Sequence, residues 1–170
     1  IIIGSNKTAL AAIQEEAEKR GLTVEIMSSE ISGEAKEVGR RLAMKAREIK
    51  NSTSVQRSLC FISGGETTVT VAGKGVGGRN MELALSFAME IERVDGISLI
   101  SAGTDGTDGP TDAAGAIVDG QTVIKARALG MDPETFLKNN DSYHFFKEID
   151  ALFVTGPTGT NVMDIQIMVL

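Results

Sequence analysis

The stretch "ISLISAGTDGTDGPTD", residues 97–112, joins an apolar run to a loop that holds three aspartates and three glycines. The apolar run predicts a buried strand, and a loop rich in Gly and Asp at the end of such a strand is typical of layered α/β folds. Carboxylates crowded into one loop repel each other. We therefore expect a divalent cation, a basic group from elsewhere in the chain, or solvent to compensate for this repulsion.

Strands and helices alternate on both sides of this stretch. Short apolar runs predict strands, and apolar residues spaced three and four apart predict amphipathic helices. The pattern predicts an α/β protein, with a layered α/β/α fold and a mixed β-sheet, preceded by a short β-α-β-α unit. The predicted strands are 1–3, 22–27, 58–62, 67–72, 97–101, 114–118, 151–154 and 165–170, with 58–62 and 67–72 forming a hairpin, and the predicted helices are 8–20, 34–50, 81–91, 122–129 and 134–138. The helix 81–91 is apolar on most sides except for a polar stripe of Glu82, Ser86 and Glu90.

The polar connection "NSTSVQR", residues 51–57, is the predicted internal boundary. It separates a β-α-β-α segment, residues 1–50, from an α/β domain, residues 58–170. The chain has no initiator Met and opens with "IIIGSN", which reads as a strand already in progress. We therefore expect the segment 1–50 to continue from a preceding domain of a longer protein.

Composition excludes several classes of function. The net charge of −6 argues against a general electrostatic footprint for nucleic acid or an anionic membrane. No apolar run approaches the ~20 residues of a membrane-spanning helix, and no secretory signal is recognisable, so we expect a soluble, cytoplasmic protein. The single cysteine, Cys60, lies within an apolar run and is interpreted as a core residue.

The loop "GKGVGGRN", residues 73–80, follows a predicted strand and precedes a predicted helix. Glycines let backbone N–H groups approach an anion closely, and the helix start adds its positive dipole end. The loop also satisfies G-x-G-x-x-G, but a dinucleotide site requires an acidic residue about 20 positions further on, at a strand end. Asp95 precedes its strand and Asp105 lies in a loop. A surface turn, an anion site and a dinucleotide site therefore stay open.

The aspartate loop is a candidate metal site. Asp105, Asp108 and Asp112 supply oxygen ligands, and Mg²⁺, which takes one or two carboxylates and completes its shell with water and phosphate, fits better than a calcium cage. Asp and Gly are also ordinary turn residues. Zinc has no ligand set around the single histidine, His144, and neither G-x-S-x-G nor a Walker A sequence is present.

Four segments taken in order are more specific than any one loop. "SGGETTVTVAGKGVGGRNMELAL", "SAGTDGTDGPTDAAGAIVDG", "NNDSYHFF" and "TGPTGTNVMD" resemble the glycerate 2-kinases of the MOFRL-domain family. This resemblance implies an ATP-dependent kinase that makes 2-phosphoglycerate from D-glycerate with Mg²⁺. It also implies an active-site cleft shared with a preceding Rossmann-like domain, which contributes a lysine, so that the isolated chain is expected to be inactive.

The resemblance also suggests roles for individual residues. Arg79 is the expected catalytic cation and Asp105 the second catalytic residue, with either Mg²⁺ or Arg79 relieving the repulsion between Asp105 and Asp108. Expected metal ligands are Asp105, Asp108 and Asp112. Expected partners are glycerate, ATP and the preceding domain, and a homodimer stays open. The expected substrate and phosphate contacts are Gly64, Gly65, Glu66, Lys74, Gly77, Gly78, Asn80, Thr158, Thr160 and Asn161.

Two other functions stay open at this point. An NAD(P)-dependent hydroxypyruvate reductase would use the G-x-G-x-x-G match, although the acidic residue is misplaced for it. A non-catalytic module that only binds an anion would use the same glycine loop. Such a module would bind phosphate ligands and turn nothing over, even with the preceding domain restored.

Overall fold

The structure, a computed structural model, describes residues 4–52 and 58–170. The predicted strand 1–3 and residues 53–57 of the polar connection lie outside the described residues. The helices are α1 (Asn6–Lys19), α2 (Ala35–Ser52), α3 (Arg79–Glu90), α4 (Thr122–Ala128), α5 (Pro133–Lys138) and α6 (Ser142–Glu148). The strands are β1 (Thr23–Ile31), β2 (Leu59–Gly65), β3 (Ser98–Gly103), β4 (Gly115–Asp119), β5 (Leu152–Phe153) and β6 (Asp164–Val169).

The described strands form one mixed sheet in the order β1-β2-β6-β3-β4-β5. β1 and β2 are parallel, and every other neighbouring pair is antiparallel. β2 and β3 therefore run in the same direction with β6 reversed between them. Asp164, the first residue of β6, pairs with Gly65 at the end of β2 and with Gly103 at the end of β3. The loops that follow β2 and β3 and the loop that precedes β6 therefore lie side by side at this edge of the sheet.

Helices cover both faces of the sheet, which confirms the predicted α/β layers. On one face α2 and α3 pack on apolar residues such as Phe61, Leu99 and Met168, and burial of this surface is the main stabilising contribution. The two helices cross closely at Gly39, where a Cβ atom would lie 2.3 Å from the Leu83 carbonyl oxygen. On the other face α1 covers a second cluster that includes Cys60, which is 1% exposed as a core residue should be.

The predicted hairpin between 58–62 and 67–72 is wrong. β2 already has β1 on one side and β6 on the other, so no edge remains for a strand formed by residues 67–72. These residues instead lie along the start of α2. Thr68 donates to the Gly33 carbonyl and accepts from the Ala35 N–H, at 2.9 and 2.8 Å. Their alternating pattern reflects one side facing the core. Thr68 forms an isolated parallel bridge with Glu34, outside the six-stranded sheet.

Most other predicted elements are present within a few residues of their predicted ends. The helix α6 was not predicted, because its aromatic sequence gave no clear helical period. The segment before the polar connection contributes β1 to the same sheet, and α2 packs against α3. None of the helices within residues 4–52 and 58–170 combines the length and apolar character that crossing a bilayer requires.

Candidate functional site

The cavity beside the start of α3 is the candidate site. It has a volume of about 620 Å³ and lies between the connection 66–78 that follows β2 and the aspartate loop that follows β3. Side chains at its wall include Glu66, Arg79, Glu82, Asp108 and Asn140. Three of these five are acidic and one is a cation, so the cavity combines apolar walls with charged groups in the way typical of small-molecule sites.

Arg79 lies where the sequence predicts a cation, at the first residue of α3. Its guanidinium donates to both carboxylate oxygens of Asp164, with Nε–Oδ2 at 2.6 Å and Nη2–Oδ1 at 3.0 Å. Nη1 lies 3.0 Å from Glu66 Oε1. The hydrogen bonds to Asp164 are the main cause of the raised pKa of Arg79. Arg79 is therefore permanently charged and held by two carboxylates.

The two carboxylates around Arg79 differ in burial. The Asp164 side chain is 1% exposed, whereas that of Glu66 is 53% exposed. The contact with Glu66 is the weaker one, because solvent screens it. Asp164 was missed by the sequence analysis. It ends the segment "TGPTGTNVMD", residues 155–164, and begins an alternating strand, and only the position of β6 between β2 and β3 brings it to Arg79.

Asp108, an expected metal ligand, caps α3. It is 2% exposed, and its two oxygens accept from the backbone N–H groups of Asn80 and Met81, at 3.1 and 2.8 Å. Burial raises the pKa of Asp108 to about 6. The residue at the N-cap position is Gly78, whose missing side chain leaves room, since a Cβ atom there would lie 2.3 Å from the Asp108 Cγ. A residue about 30 positions away thus replaces the local cap.

The three expected metal ligands point in different directions. Asp105 Oδ1 accepts from the Thr107 N–H at 3.1 Å, and Asp112 Oδ1 accepts from the Tyr143 hydroxyl at 2.8 Å. Within the part of the chain that the structure describes, no three acidic, histidine or cysteine side chains gather around a point that could hold a metal ion. The structure thus does not bring Asp105, Asp108 and Asp112 together, and a role for each in metal binding stays a prediction.

The loop 155–161 packs on the aspartate loop and does not line the cavity. Thr158 Oγ1 donates to the Thr104 carbonyl at 2.5 Å, and Asn161 Nδ2 donates to Asp105 Oδ2 at 3.3 Å. Thr160 is exposed. Asn80 is likewise turned inward, because it is 1% exposed and its Oδ1 accepts from the Ser101 hydroxyl. The predicted contacts of these residues with substrate or phosphate are not tested by this arrangement.

Gly64 and Gly65, expected to contact phosphate, have a clear role in packing. A Cβ atom at Gly64 would lie 2.1 Å from Asn6 Oδ1 in α1. Gly65 has a φ of 146°, and a Cβ atom there would lie 2.2 Å from the Ile31 carbonyl oxygen. Only glycine tolerates both conditions, so the chain can leave β2 sharply toward the cavity.

The N–H groups of Ala72 and of the first four residues of the glycine-rich loop are used within the protein. They all donate to residues 139–141, which we call the NND segment. These N–H groups are therefore not available to an anion, which was one of the three possibilities left open for the loop. The acceptors are Asn140 Oδ1 for Ala72 and Gly73 (2.8 and 2.9 Å), Asn139 Oδ1 for Lys74 (3.1 Å), the Asn139 carbonyl for Gly75 (2.9 Å) and Asp141 Oδ1 for Val76 (2.9 Å).

The end of the same loop is different. The N–H groups of Gly77, Gly78 and Arg79 have no acceptor within residues 4–52 and 58–170. They lie at the N-terminus of α3, where the helix dipole favours an anion. Gly77 and Gly78 also line the cavity, whereas Lys74 is exposed in the part of the loop that is hydrogen-bonded to the NND segment. The predicted anion contacts thus stay open for the N–H groups of Gly77, Gly78 and Arg79, the last of which is the first residue of α3.

Glu82 is a second residue that the sequence analysis missed, since it was assigned to a polar stripe of α3. It is 2% exposed, and Oε2 accepts from Asn140 Nδ2 at 2.9 Å. Oε1 has no hydrogen-bond partner among the described residues. Desolvation is the main cause of the raised pKa of Glu82, and the hydrogen bond from Asn140 opposes it. A buried carboxylate oxygen without a partner is costly and therefore unusual.

Known proteins are similar to this chain along its length. A family model described as the MOFRL family matches residues 59–164. The D-glycerate 2-kinase of Thermotoga maritima is 48% identical over 167 residues, which are 98% of this chain and 40% of that protein. A protein of Agrobacterium vitis named "Putative hydroxypyruvate reductase" is 40% identical over an alignment of 172 positions, which covers 99% of this chain and 45% of that protein.

A solved structure agrees with the sequence comparison. The crystal structure of the glycerate kinase of Thermotoga maritima superposes with a TM-score of 0.96 at 47% identity, covering 100% of this chain and 41% of that chain. The chain described above therefore spans about two fifths of the length of these two Thermotoga relatives.

Proposed function

Because the chain belongs to the MOFRL family, we propose that it is the C-terminal part of an ATP-dependent glycerate 2-kinase that phosphorylates D-glycerate to 2-phosphoglycerate. The observation that carries this proposal is the position of Arg79. A guanidinium at the start of a helix, beside a cavity of about 620 Å³ and three N–H groups with no acceptor among the described residues, is a suitable site for a phosphoryl or carboxylate group.

Phosphoryl transfer requires this kind of arrangement. The protein performs little covalent chemistry, and catalysis depends on positioning and on neutralising charge at the transferring group. Asp164 fixes the guanidinium of Arg79 from the buried side. Glu66 is half exposed, so it can release Nη1 to an incoming anion. Arg79 then binds the anion while the N–H groups of Gly77 and Gly78 contact it from the backbone.

Mg²⁺ would be held on the aspartate loop. Asp105 is partly exposed, and one carboxylate completed by water and phosphate oxygens is a common way of binding this ion. Asp112 is a second exposed carboxylate. Asp108 suits a metal less well, because both of its oxygens accept backbone N–H groups. When bound, the ion would supply positive charge for the phosphates of ATP.

The remaining parts of the proposal concern the longer protein. The relatives are about two and a half times as long as this chain, which leaves room for a preceding Rossmann-like domain. That domain would form an interdomain cleft with this chain and contribute a lysine to it. The segment 1–50 would continue from that domain, and residues 58–170 would form the MOFRL domain. The isolated chain would then be inactive. The protein would be cytoplasmic, and a homodimer is compatible with this proposal.

A hydroxypyruvate reductase is the second candidate, because a relative at 40% identity carries that name. A pyrophosphate on a G-x-G-x-x-G loop is bound by backbone N–H groups. Here the N–H groups of residues 72–76 donate to the NND segment instead. The hydrogen bonding therefore favours the kinase over a nicotinamide enzyme. A module that binds an anion without catalysis remains the third candidate.

One assay pair separates these functions. The full-length protein that contains this chain is supplied with ATP, Mg²⁺ and D-glycerate, and in parallel with NADH and hydroxypyruvate. We expect ADP and 2-phosphoglycerate in the first assay and no NADH oxidation in the second. Oxidation of NADH alone would establish the reductase, and no turnover in either assay, together with phosphate binding, would support the anion-binding module.

A further inference from the structure

Two buried carboxylates lie beside the start of α3 and line the cavity, Glu82 from the helix itself and Asp108 from the aspartate loop, and they differ in one respect. Asp108 has both oxygens occupied by backbone N–H groups of the helix. Glu82 has one oxygen bonded to Asn140, while Oε1 has no partner in the part of the chain that the structure describes. Each Asp108 oxygen thus already accepts an N–H group of the helix, whereas Glu82 keeps one oxygen with no hydrogen bond among the described residues.

The position of Glu82 relative to Arg79 supports a role with a ligand. The two residues are three positions apart on α3, so their side chains lie on the same face of the helix, and both line the cavity. A small hydroxy acid or phosphate held by Arg79 would place its other groups near Glu82. A hydroxyl is the group that an unpaired carboxylate oxygen accepts from most readily.

We propose that Glu82 is a catalytic residue of this site and that its Oε1 accepts the proton of the substrate hydroxyl during phosphoryl transfer. This inference rests on the proposed kinase function. As the hydroxyl oxygen forms a bond to the terminal phosphorus of ATP, its O–H bond breaks and the proton passes to Glu82. The bond from that phosphorus to the bridging oxygen breaks, and ADP leaves with the electron pair.

The environment of Glu82 suits a base. Burial raises its pKa above the ordinary value of 4.5, which brings the carboxylate closer to the range useful for proton transfer at neutral pH. Lys36 and the hydrogen bond from Asn140 lower the pKa, and Glu34 raises it. Asn140 also holds Oε2, which fixes the carboxylate so that Oε1 is the atom left for the substrate.

The experiment compares two replacements of Glu82 in the full-length protein. Glu82→Gln keeps the size and the acceptor for Asn140 but cannot take a proton, and Glu82→Asp keeps the carboxylate at a shorter reach. We expect kcat to fall ~10²-fold for Gln and less for Asp, with KM for glycerate nearly unchanged. A structural role predicts the reverse order, because Gln matches the shape of Glu. Glu90→Gln, on the same helix beside Arg40, is the matched control.

Each outcome bears on the inference. An active wild type with full turnover in Glu82→Gln, or with Gln more active than Asp, would overturn it and leave the kinase function standing. A wild type without kinase activity would overturn both. If the variants do not fold, the wild-type pH profile decides. As the pH is lowered, kcat should fall above pH 4.5, because burial raises the pKa of Glu82 above that ordinary value. A kcat that is still unchanged at pH 4.5 would exclude Glu82 as the base. If the fall of kcat at low pH persists in Asp108→Asn, the result supports Glu82 as the base.

Discussion

Residues 72–76 and residues 77–79 form one glycine-rich connection, yet their backbone N–H groups are used in two ways. The first five donate to the NND segment, more than sixty positions away in the chain. The last three have no acceptor among the described residues and face the cavity at the start of α3. One sequence motif thus contains a structural half and a half that is free to bind a ligand.

The comparison shows that glycine in this loop serves two different purposes. A Cβ atom at Gly73 would lie 2.1 Å from the Asn139 carbonyl oxygen, so the glycines of the first half allow the close approach of the NND segment. Gly78 instead leaves room for Asp108, which takes over the capping of α3. Substitutions in the two halves should therefore have different consequences for stability and turnover.

The largest effect is expected for Arg79, in the free half. Arg79→Ala should lower kcat ~10²-fold or more, because a prepositioned cation is lost. It should also cost about 2 kcal/mol of unfolding free energy, because Asp164 is left buried without its partner. Steady-state kinetics and denaturant unfolding of the full-length protein measure the two effects.

The double variant Arg79→Ala with Asp164→Asn separates them. It should recover most of the stability, since no buried charge remains unpaired, and none of the turnover. If kcat returned in the double variant, Arg79 would act only as the partner of Asp164, and the division of the loop into two halves would lose its functional meaning.

A smaller effect, on stability, is expected when the hydrogen bonds between residues 72–76 and the NND segment are removed. Asn140→Ala removes the acceptor of two loop N–H groups and the donor to Glu82, and it places Ala at a φ of 53°. We expect a loss of about 3 kcal/mol, measured by denaturant unfolding. Asn139→Ala, at an exposed residue whose side chain accepts one N–H, should cost about 1 kcal/mol or less.

Asn140→Gly serves as the control for backbone strain. Glycine adopts a positive φ without cost but supplies no side-chain hydrogen bonds. If Asn140→Gly were as stable as the wild type, the bonds to the loop would contribute nothing, and the distinction between the two halves would reduce to backbone conformation.

The smallest effect concerns the pH dependence of stability at Asp108. Its folded-state pKa of about 6 lies above the ordinary value of 3.8, so the folded protein binds the proton more tightly than the unfolded chain does. The stabilisation is complete below the ordinary value and is lost as the pH rises through about 6. Wild-type stability relative to Asp108→Asn should fall by about 1 kcal/mol between pH 5 and 7. A constant difference across this range would contradict the assigned burial of the charge.

Local patterns predicted much of the chain correctly because their causes are local. Apolar periodicity indicated helices α1 to α3 and most strands, and the resemblance to the MOFRL-domain kinases singled out Arg79. The same reasoning failed at residues 67–72, where the alternation was real but both sides of β2 were already occupied. Glu82 was assigned to a polar stripe, since periodicity cannot show that a cavity and Asn140 lie against that side of α3.

The sequence by itself determined the α/β class, the glycine and aspartate loops at strand ends and the cation at the start of α3. The tertiary structure alone decided that Asp108 caps this helix, that Asp164 holds Arg79 and that the NND segment binds the loop. The reason is physical. These hydrogen bonds join residues 27 to 85 positions apart. Their partners are selected by the strand order that brings β6 between β2 and β3, which no local propensity encodes.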